Sequence, residues 1–401
     1  MQHAGLISLG EAVSRITAQA QPLGIETIDV QSAFGRVLGL PLTAAIDSPR
    51  TAVSAMDGFA VHDADIQRPN ARLAVSQEIF AGVSETPAAL ERGTCARIFT
   101  GAPTPDGADR VVIQEDVERI GDEAVFSGPA GARRNIRPAG ADFRAGAQLL
   151  DAGRLLDHRS IVTAAAADRA TIAVYRRPTI LVVSTGDELV APGRAADQPG
   201  KIPESLSLGV EALAAQWGGD VLGRLRLADD PDALRLAAMR CLERADLTVV
   251  TGGASVGDRD FAKQMFEGAD VEMQFSKVAI KPGKPVWFAR VNNRLVLGLP
   301  GNPTSAMVTA RLFLAPLVAG LAGRSPQSAL AWRDMVLAAD LDASGDRETL
   351  ERGKVEAEGV RSLSDQDSAS QRALAMADVL IRRPPGDDAR QAGAQVSVLD
   401  F

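Results

Sequence analysis

Cysteine and histidine are scarce in this 401-residue chain: two cysteines, Cys95 and Cys241, and three histidines, His3, His62 and His158. The cysteines have no CxxC spacing, which removes the usual thiolate motifs, and the scattered histidines exclude a histidine-rich metal centre. Cys241 falls on the apolar stripe of a predicted helix and reads as a small buried hydrophobe. Long apolar runs are missing too. A membrane helix needs about 20 such residues, and the longest candidate, Ala306 to Leu321, is interrupted by Thr309, Arg311 and Pro316. Residues Met1 to Leu6 show no basic stretch followed by an apolar core, so no secretory signal is visible and a cytoplasmic location is expected. Positive charge is outweighed, 43 Lys and Arg against 51 Asp and Glu, a net charge of −8. That balance argues against nucleic acid, whose phosphates require clustered cations. Neither a GxGxxG dinucleotide fingerprint nor a GxxxxGK[ST] phosphate loop occurs.

What is present is enough apolar content, 46%, to fill several cores, and a length that implies two to four folded units. The expected fold is a multidomain α/β and β architecture. A first unit spans 1–45 and resumes at 138–177, its opening helix marked by the capping pattern Ser8 to Glu11 and by Leu9, Val13 and Ile16 at helical spacing. The helical run Arg159 to Ala167 is expected to rejoin that helix. Residues 46–137 read as a small inserted β unit, with short runs such as Arg72–Val75, Ala96–Phe99 and Arg110–Ile113 split by turn signals. Over 178–325 strands and helices alternate, which predicts a three-layer α/β/α unit with a mostly parallel sheet. Its strands are expected at Ile180–Val183, Val221–Leu225, Leu247–Val250, Pro285–Arg290 and Arg294–Leu297; Asp230-Pro231 and Asn302-Pro303 read as helix caps followed by proline. Residues 326–401 return to short strands, a C-terminal β unit.

In an open parallel sheet, ligands sit outside the carboxyl ends of the strands. The segments there are Ser184 to Glu188, Asp229-Asp230, Thr251 to Asp260 and Gly298 to Pro303. Gly252, Gly253, Ser255 and Gly257 would offer backbone N–H groups to a phosphate or oxyanion. Asp187, Glu188, Asp229, Asp258 and Asp260 bring carboxylates to the same edge, where a divalent cation such as magnesium would mediate between them and an anionic ligand. Lys277, Lys281 and Lys284 would add positive charge for a small oxyanion. The run Gly253-Ala254-Ser255-Val256-Gly257 matches a G-x-S-x-G elbow, but no histidine follows it to act as base, so serine hydrolysis is set aside.

These motifs carry a family resemblance. Ser54 to Val61 (Ser-Ala-Met-Asp-Gly-Phe-Ala-Val), Thr100 to Pro103, Ser184 to Leu189, Thr251 to Asp260, Lys281 to Pro285 and Leu299 to Ser305 resemble the signature of the MoeA/gephyrin E-domain family, in the family's order. Ala373 to Pro385 and Gly393 to Leu399 resemble its last domain. The resemblance implies molybdopterin molybdenumtransferase activity, in which adenylylated molybdopterin and molybdate give molybdenum cofactor and AMP with magnesium. It also implies a homodimer that sets the sheet unit of one subunit against the small β unit of the other, and contact with the adenylyltransferase of the same pathway. Carried over by motif, Asp57, Thr100 and Asp142 would line the cleft from the small-unit side, and Glu188, Asp229 and Asp260 from the sheet side. Lys277 and Lys281 would sit beside the oxyanion, with Ser184, Pro300 and Asn302 among the ligand-binding positions and Asp187, Glu188, Asp258 and Asp260 among the metal-binding ones. One departure stands out: where the family usually has Tyr-Asp-Ser-Asn, this chain has Ile202-Pro203-Glu204-Ser205-Leu206. Two alternatives remain beside this reading, a paralogue that adenylylates molybdopterin and a non-catalytic dimeric scaffold.

Overall fold

The computed structural model describes residues 6–82, 85–129, 131–252 and 265–401. Three six-stranded sheets organise the described residues. The central one runs in the order Asp220–Leu227, Thr179–Thr185, Leu247–Thr251, Arg294–Leu299, Trp287–Val291, Val271–Phe275. The first four strands are mutually parallel, Trp287–Val291 runs antiparallel to them, and Val271–Phe275, antiparallel to that strand in turn, forms the edge. The expectation of a mostly parallel sheet holds, with an antiparallel hairpin at one side.

Successive side chains of a strand face opposite ways, and strand Thr179–Thr185 shows the result. Ile180 and Val182 enter one buried cluster with Val210, Leu297 and Phe313. Leu181 and Val183 enter the other, with Leu234, Cys241 and Phe266. Helices therefore cover both faces. Helix Pro231–Arg244 is capped as expected, Asp230 accepting from the backbone N–H of Asp232 at 3.1 Å. Cys241 is fully buried in the second cluster, and burial pushes its thiol up to about 11, so it behaves as an apolar residue.

The continuous helical segment Pro303–Leu321 is long and apolar enough to span a bilayer, but 94% of it is buried inside the protein. It contains a π turn at Ala310–Leu314, directly before Pro316. Proline lacks the N–H that would bond four residues back and its ring crowds that carbonyl; a π turn at this point accommodates both.

The small β sheet has the order Arg110–Ile113, Gly58–Val61, Thr94–Ile98, Ala71–Ile79, Glu123–Phe126, Val117–Ile120. Beside it, strand Ile25–Asp29 pairs antiparallel with Thr171–Tyr175, and helix His158–Ala166 packs with Leu38, Leu42, Leu156 and Val174. The first helix, Leu9–Gln19, goes elsewhere. Ser8 caps it by accepting from Glu11 N–H at 3.2 Å, but Leu9, Ala12 and Ile16 pack into the core of the central sheet. The expected reunion of the 159–167 helix with the first helix is thus corrected: the apolar stripe of the first helix is covered by the 303–321 segment instead.

The third sheet runs Ile280–Lys281, Glu348–Glu356, Val379–Arg383, Gln395–Asp400, Arg333–Val336, with Gly359–Ser362 hairpinned onto Glu348–Glu356. Its first strand comes from within the α/β region, Ile280 and Lys281 pairing parallel with Glu348 and Thr349.

Candidate active site

A cleft of about 460 Å³ opens at the carboxyl ends of the parallel strands. Thr185, Thr251 and Gly252 line it from two adjacent strands, Asp229 from the turn after a third, and Gly301 to Pro303 from the turn after the fourth. Glu188 lines it from the turn Gly186–Leu189, closed by Leu189 N–H on the Gly186 carbonyl at 3.2 Å. Gly186 has φ +149°, and a Cβ there would stand 2.8 Å from both carboxylate oxygens of Glu188. The glycine is what lets that carboxylate fold back over the strand end. Gly252 has φ +88°, and a Cβ would lie 2.6 Å from the Thr185 carbonyl, so the close approach of the two strand ends also requires glycine. A Cβ on Gly301 would lie 3.5 Å from the Gly252 Cα. The Thr185 hydroxyl, buried at this junction, has no hydrogen-bond partner among the described residues.

The departing segment, Ile202 to Leu206, lines the cleft along its whole length. Glu204, 8% exposed, accepts from the N–H of Ser207 at 2.8 Å, from the Ser207 hydroxyl, and from the Ser184 hydroxyl at 3.2 Å. Thr251 donates to Ser184 at 3.1 Å. Ser184 therefore lies beneath the cleft, tying two strand ends to the start of helix Leu206–Gln216, and is not itself a lining residue. Leu206 lines both the cleft and an adjoining apolar groove of about 290 Å³ formed with Met307, Leu374 and Phe401.

Asp187 belongs to the same turn as Glu188, but its carboxylate accepts from Asp229 N–H at 3.1 Å and does not line the cleft. Asn302 starts its helix as expected, yet its side chain does not cap it; the amide donates to the Ser368 hydroxyl at 2.9 Å. Pro300 is buried behind it and does not line the cleft. Gly253, Ser255, Gly257, Asp258 and Asp260 lie outside the described residues. Among the described residues no group of three or more potential metal ligands occurs.

The lysines are placed differently from the sequence expectation. Lys281 and Lys284 line a second cleft, of about 480 Å³, with Ser305, Arg347, Asp367 and Ser368. Pairing of Ile280–Lys281 with Glu348–Thr349 draws them to the C-terminal sheet. The Asn302–Ser368 bond, together with Thr304 N–H on the Ser368 carbonyl at 3.1 Å, stands between the two clefts. Glu351 and Asp367 share the second wall with these cations. Glu351 pairs with Arg383 at 3.4 Å and Arg347 with Asp346 at 3.7 Å, so Lys281 and Lys284 are the cations there without an ion pair among the described residues. Lys277 lines neither cleft. Ala369 and Gln371, which sequence reasoning missed, close the first cleft from the C-terminal region; no local pattern marks them.

Asp57, Thr100 and Asp142 do not line either cleft of their own chain. One oxygen of Asp57 accepts from both the N–H and the hydroxyl of Thr100, each at 2.7 Å. The backbone bond above all, then the hydroxyl, holds the Asp57 carboxyl below the usual carboxylate range. Asp142 sits in an exposed turn, its N–H donating to the Ser48 carbonyl at 2.9 Å.

This chain matches the MoeA N-terminal region (domain I and II) over residues 7–167, a probable molybdopterin binding domain over 181–320 and the MoeA C-terminal region (domain IV) over 334–401. It is 33% identical over 387 residues, 94% of this chain and 95% of the relative, to molybdopterin molybdenumtransferase 2 of Mycobacterium tuberculosis. The chain belongs to the MoeA family. A molybdopterin molybdenumtransferase of a Nostoc species is 35% identical over 307 residues, 74% of this chain and 70% of that one. Among solved structures, the molybdopterin biosynthesis MoeA protein of Pyrococcus horikosii superposes with a TM-score of 0.83 at 26% identity, covering 99% of each chain. The expected multidomain α/β and β architecture is the MoeA fold, and the 460 Å³ cleft of this MoeA chain lies mainly within the segment matched to the molybdopterin binding domain.

Proposed function

We propose that this chain is a molybdopterin molybdenumtransferase, which converts adenylylated molybdopterin and molybdate to molybdenum cofactor and AMP. The observation that carries the reading is the pair of adjoining clefts: one with carboxylates and glycine amides at the strand ends, the other with Lys281, Lys284 and Arg347. Molybdate, a dianion, suits the cationic cleft. The phosphoanhydride suits the first, where the N–H of Gly252 can meet oxyanion charge as it develops. Glu188 and Asp229 supply two carboxylates to one cavity, a donor set that fits magnesium, which is usually held by one or two carboxylates plus substrate phosphates. Bound there, magnesium would neutralise phosphate charge during cleavage. Glu204, a wall residue itself, and Ser184 beneath it fix the helix start against the strand ends so that the wall keeps its shape.

The same reading assigns Asp57, Thr100 and Asp142 to the cleft of a second copy of the chain, which makes the working unit a homodimer. It places the enzyme in the cytoplasm, in contact with the adenylyltransferase that supplies its substrate. The test is incubation of the purified protein with adenylylated molybdopterin, molybdate and magnesium. AMP release coupled to metal insertion is expected. Consumption of ATP with pyrophosphate release, when ATP and molybdopterin are supplied in their place, would instead indicate an adenylyltransferase, and inert binding a scaffold.

A further inference from the structure

Aromatic residues are 4% of this chain, yet Phe59, Phe80 and Phe99 gather at one spot on the small β sheet. The rings of Phe80 and Phe99 are stacked, centroids 4.7 Å apart and planes 12° from parallel. The Arg97 guanidinium lies 4.7 Å from the centroid of Phe99 and 5.1 Å from that of Phe59. Arg97 is itself fixed, donating to the Gly58 carbonyl at 3.1 Å and to the Gln114 side chain at 2.7 Å. Phe80, the outer member, is 49% exposed. Phe80 thus presents a ring to solvent that Phe99 backs and Arg97 steadies, and aromatic rings gain from offset stacking with another ring.

Its neighbourhood says what that would be. Phe99 N–H donates to the Ile79 carbonyl at 3.3 Å, and a Cβ on Gly101 would touch Ala81 at 3.7 Å. The segment carrying Phe80 thus runs flush with the segment carrying Thr100, which in turn grips Asp57. The Thr100 bonds favour the ionised, acceptor-only form of that carboxylate.

We propose that the Phe80–Phe99 stack, braced by Arg97 and Phe59, is a platform for a flat heteroaromatic ring, with the Asp57 carboxylate beside it as acceptor for the ring's amino and N–H groups. The inference rests on the function proposed above, in which the substrate carries two such rings, a pterin and an adenine, and it identifies the surface that takes one of them.

The test titrates neopterin and AMP separately, by calorimetry, into the full chain and its Phe80→Ala and Phe80→Trp variants. Phe80 is exposed enough for both variants to fold. Phe80→Ala is expected to weaken one ring about tenfold, within the range lost when a stacked base loses its aromatic partner, and Phe80→Trp to restore it. Loss for neopterin alone assigns the platform to the pterin; loss for AMP alone assigns it to the adenine. Unchanged affinity for both rings, or no binding of either by the unmodified chain, overturns the proposal. So does a Phe80→Ala variant that keeps both affinities and loses only self-association, because the stack is then a subunit contact. Metal insertion by the unmodified chain is measured alongside. Insertion with ring binding indifferent to Phe80 sinks the platform alone, whereas absent insertion sinks the function and leaves the ring titrations to judge the platform.

Discussion

Gly186 offers a way to move the Glu188 carboxylate without altering it. An added methyl would fall 2.8 Å from each carboxylate oxygen, well inside contact distance, and no other atom is nearer. Glu188 is exposed and flexible, so it is the side chain that must yield. The backbone angle of +149° adds strain for any L side chain, about 1–3 kcal/mol. Gly186→Ala should therefore fold with modestly lowered stability while displacing the carboxylate by on the order of 1 Å, a misplacement that costs about 10²-fold in rate. A double-mutant cycle separates the two effects. In the Glu188→Ala background the clashing atoms are gone, so Gly186→Ala should retain its stability cost and lose its rate cost. The assay is metal insertion at saturating substrate, paired with thermal unfolding of all four proteins. Equal rate losses from Gly186→Ala in both backgrounds, or a well-folded single variant at full rate, would refute the reasoning.

Asp246 accepts bonds from Arg176, Arg294 and Thr179 at 2.7–3.1 Å. Burial opposes its ionisation, but the bonds from Arg176 and Thr179 outweigh that and hold its carboxyl below the usual range. A depressed folded value gives stability that is present above the unfolded value, about 3.9, and lost as pH falls through the folded one. Breaking a buried pair costs about 3–5 kcal/mol; with Arg176 and Arg294 39% and 42% exposed, Asp246→Asn should cost about 2 kcal/mol at pH 7. Denaturant titrations should show that difference shrinking below about pH 4; a pH-independent difference would count against the ionised role. Lys281→Ala should raise KM for molybdate at least about tenfold, the loss of a charged hydrogen bond, while Lys277→Ala, outside both clefts, changes it far less; steady-state kinetics on the two variants decides. Asn302→Ala removes the bond to Ser368 and should lower the rate on the order of tenfold while changing stability by about 1 kcal/mol or less, read from the same kinetics beside Tm.

The elements that local pattern could specify were legible in the sequence. Ile180–Val183 is apolar at every position because both faces of its strand are covered, and Asp230-Pro231 is a cap whose bond spans two residues. Glu188, Asp229 and Gly252 were legible because strand ends place them, given only the direction of the sheet. What escaped depends on remote surfaces. A stripe on helix Leu9–Gln19 signals burial but not which element covers it. That Lys281 stands in a cleft apart from Glu188 was not legible, because Ile280–Lys281 pairs with a strand almost seventy positions away. Asn302 fits a cap by residue type, but its side chain caps nothing and its NH2 donates to the remote Ser368 hydroxyl. Ala369 and Gln371 have no chemistry of their own that marks them; they matter because the backbone of the third sheet carries them to the cleft.

The incorporation of Leu350, Leu380 and Leu399 into the same buried cluster as Ile180 and Phe313 has a consequence for biosynthesis on the ribosome. The buried cluster that includes one face of the parallel sheet is not complete until translation has almost finished, and one wall of the substrate cavity arrives only with Ala369 and Gln371. A prematurely released product would carry the strand-end carboxylates but expose greasy surface instead of a binding chamber. Such a fragment is a client for chaperones and proteases rather than a half-active catalyst.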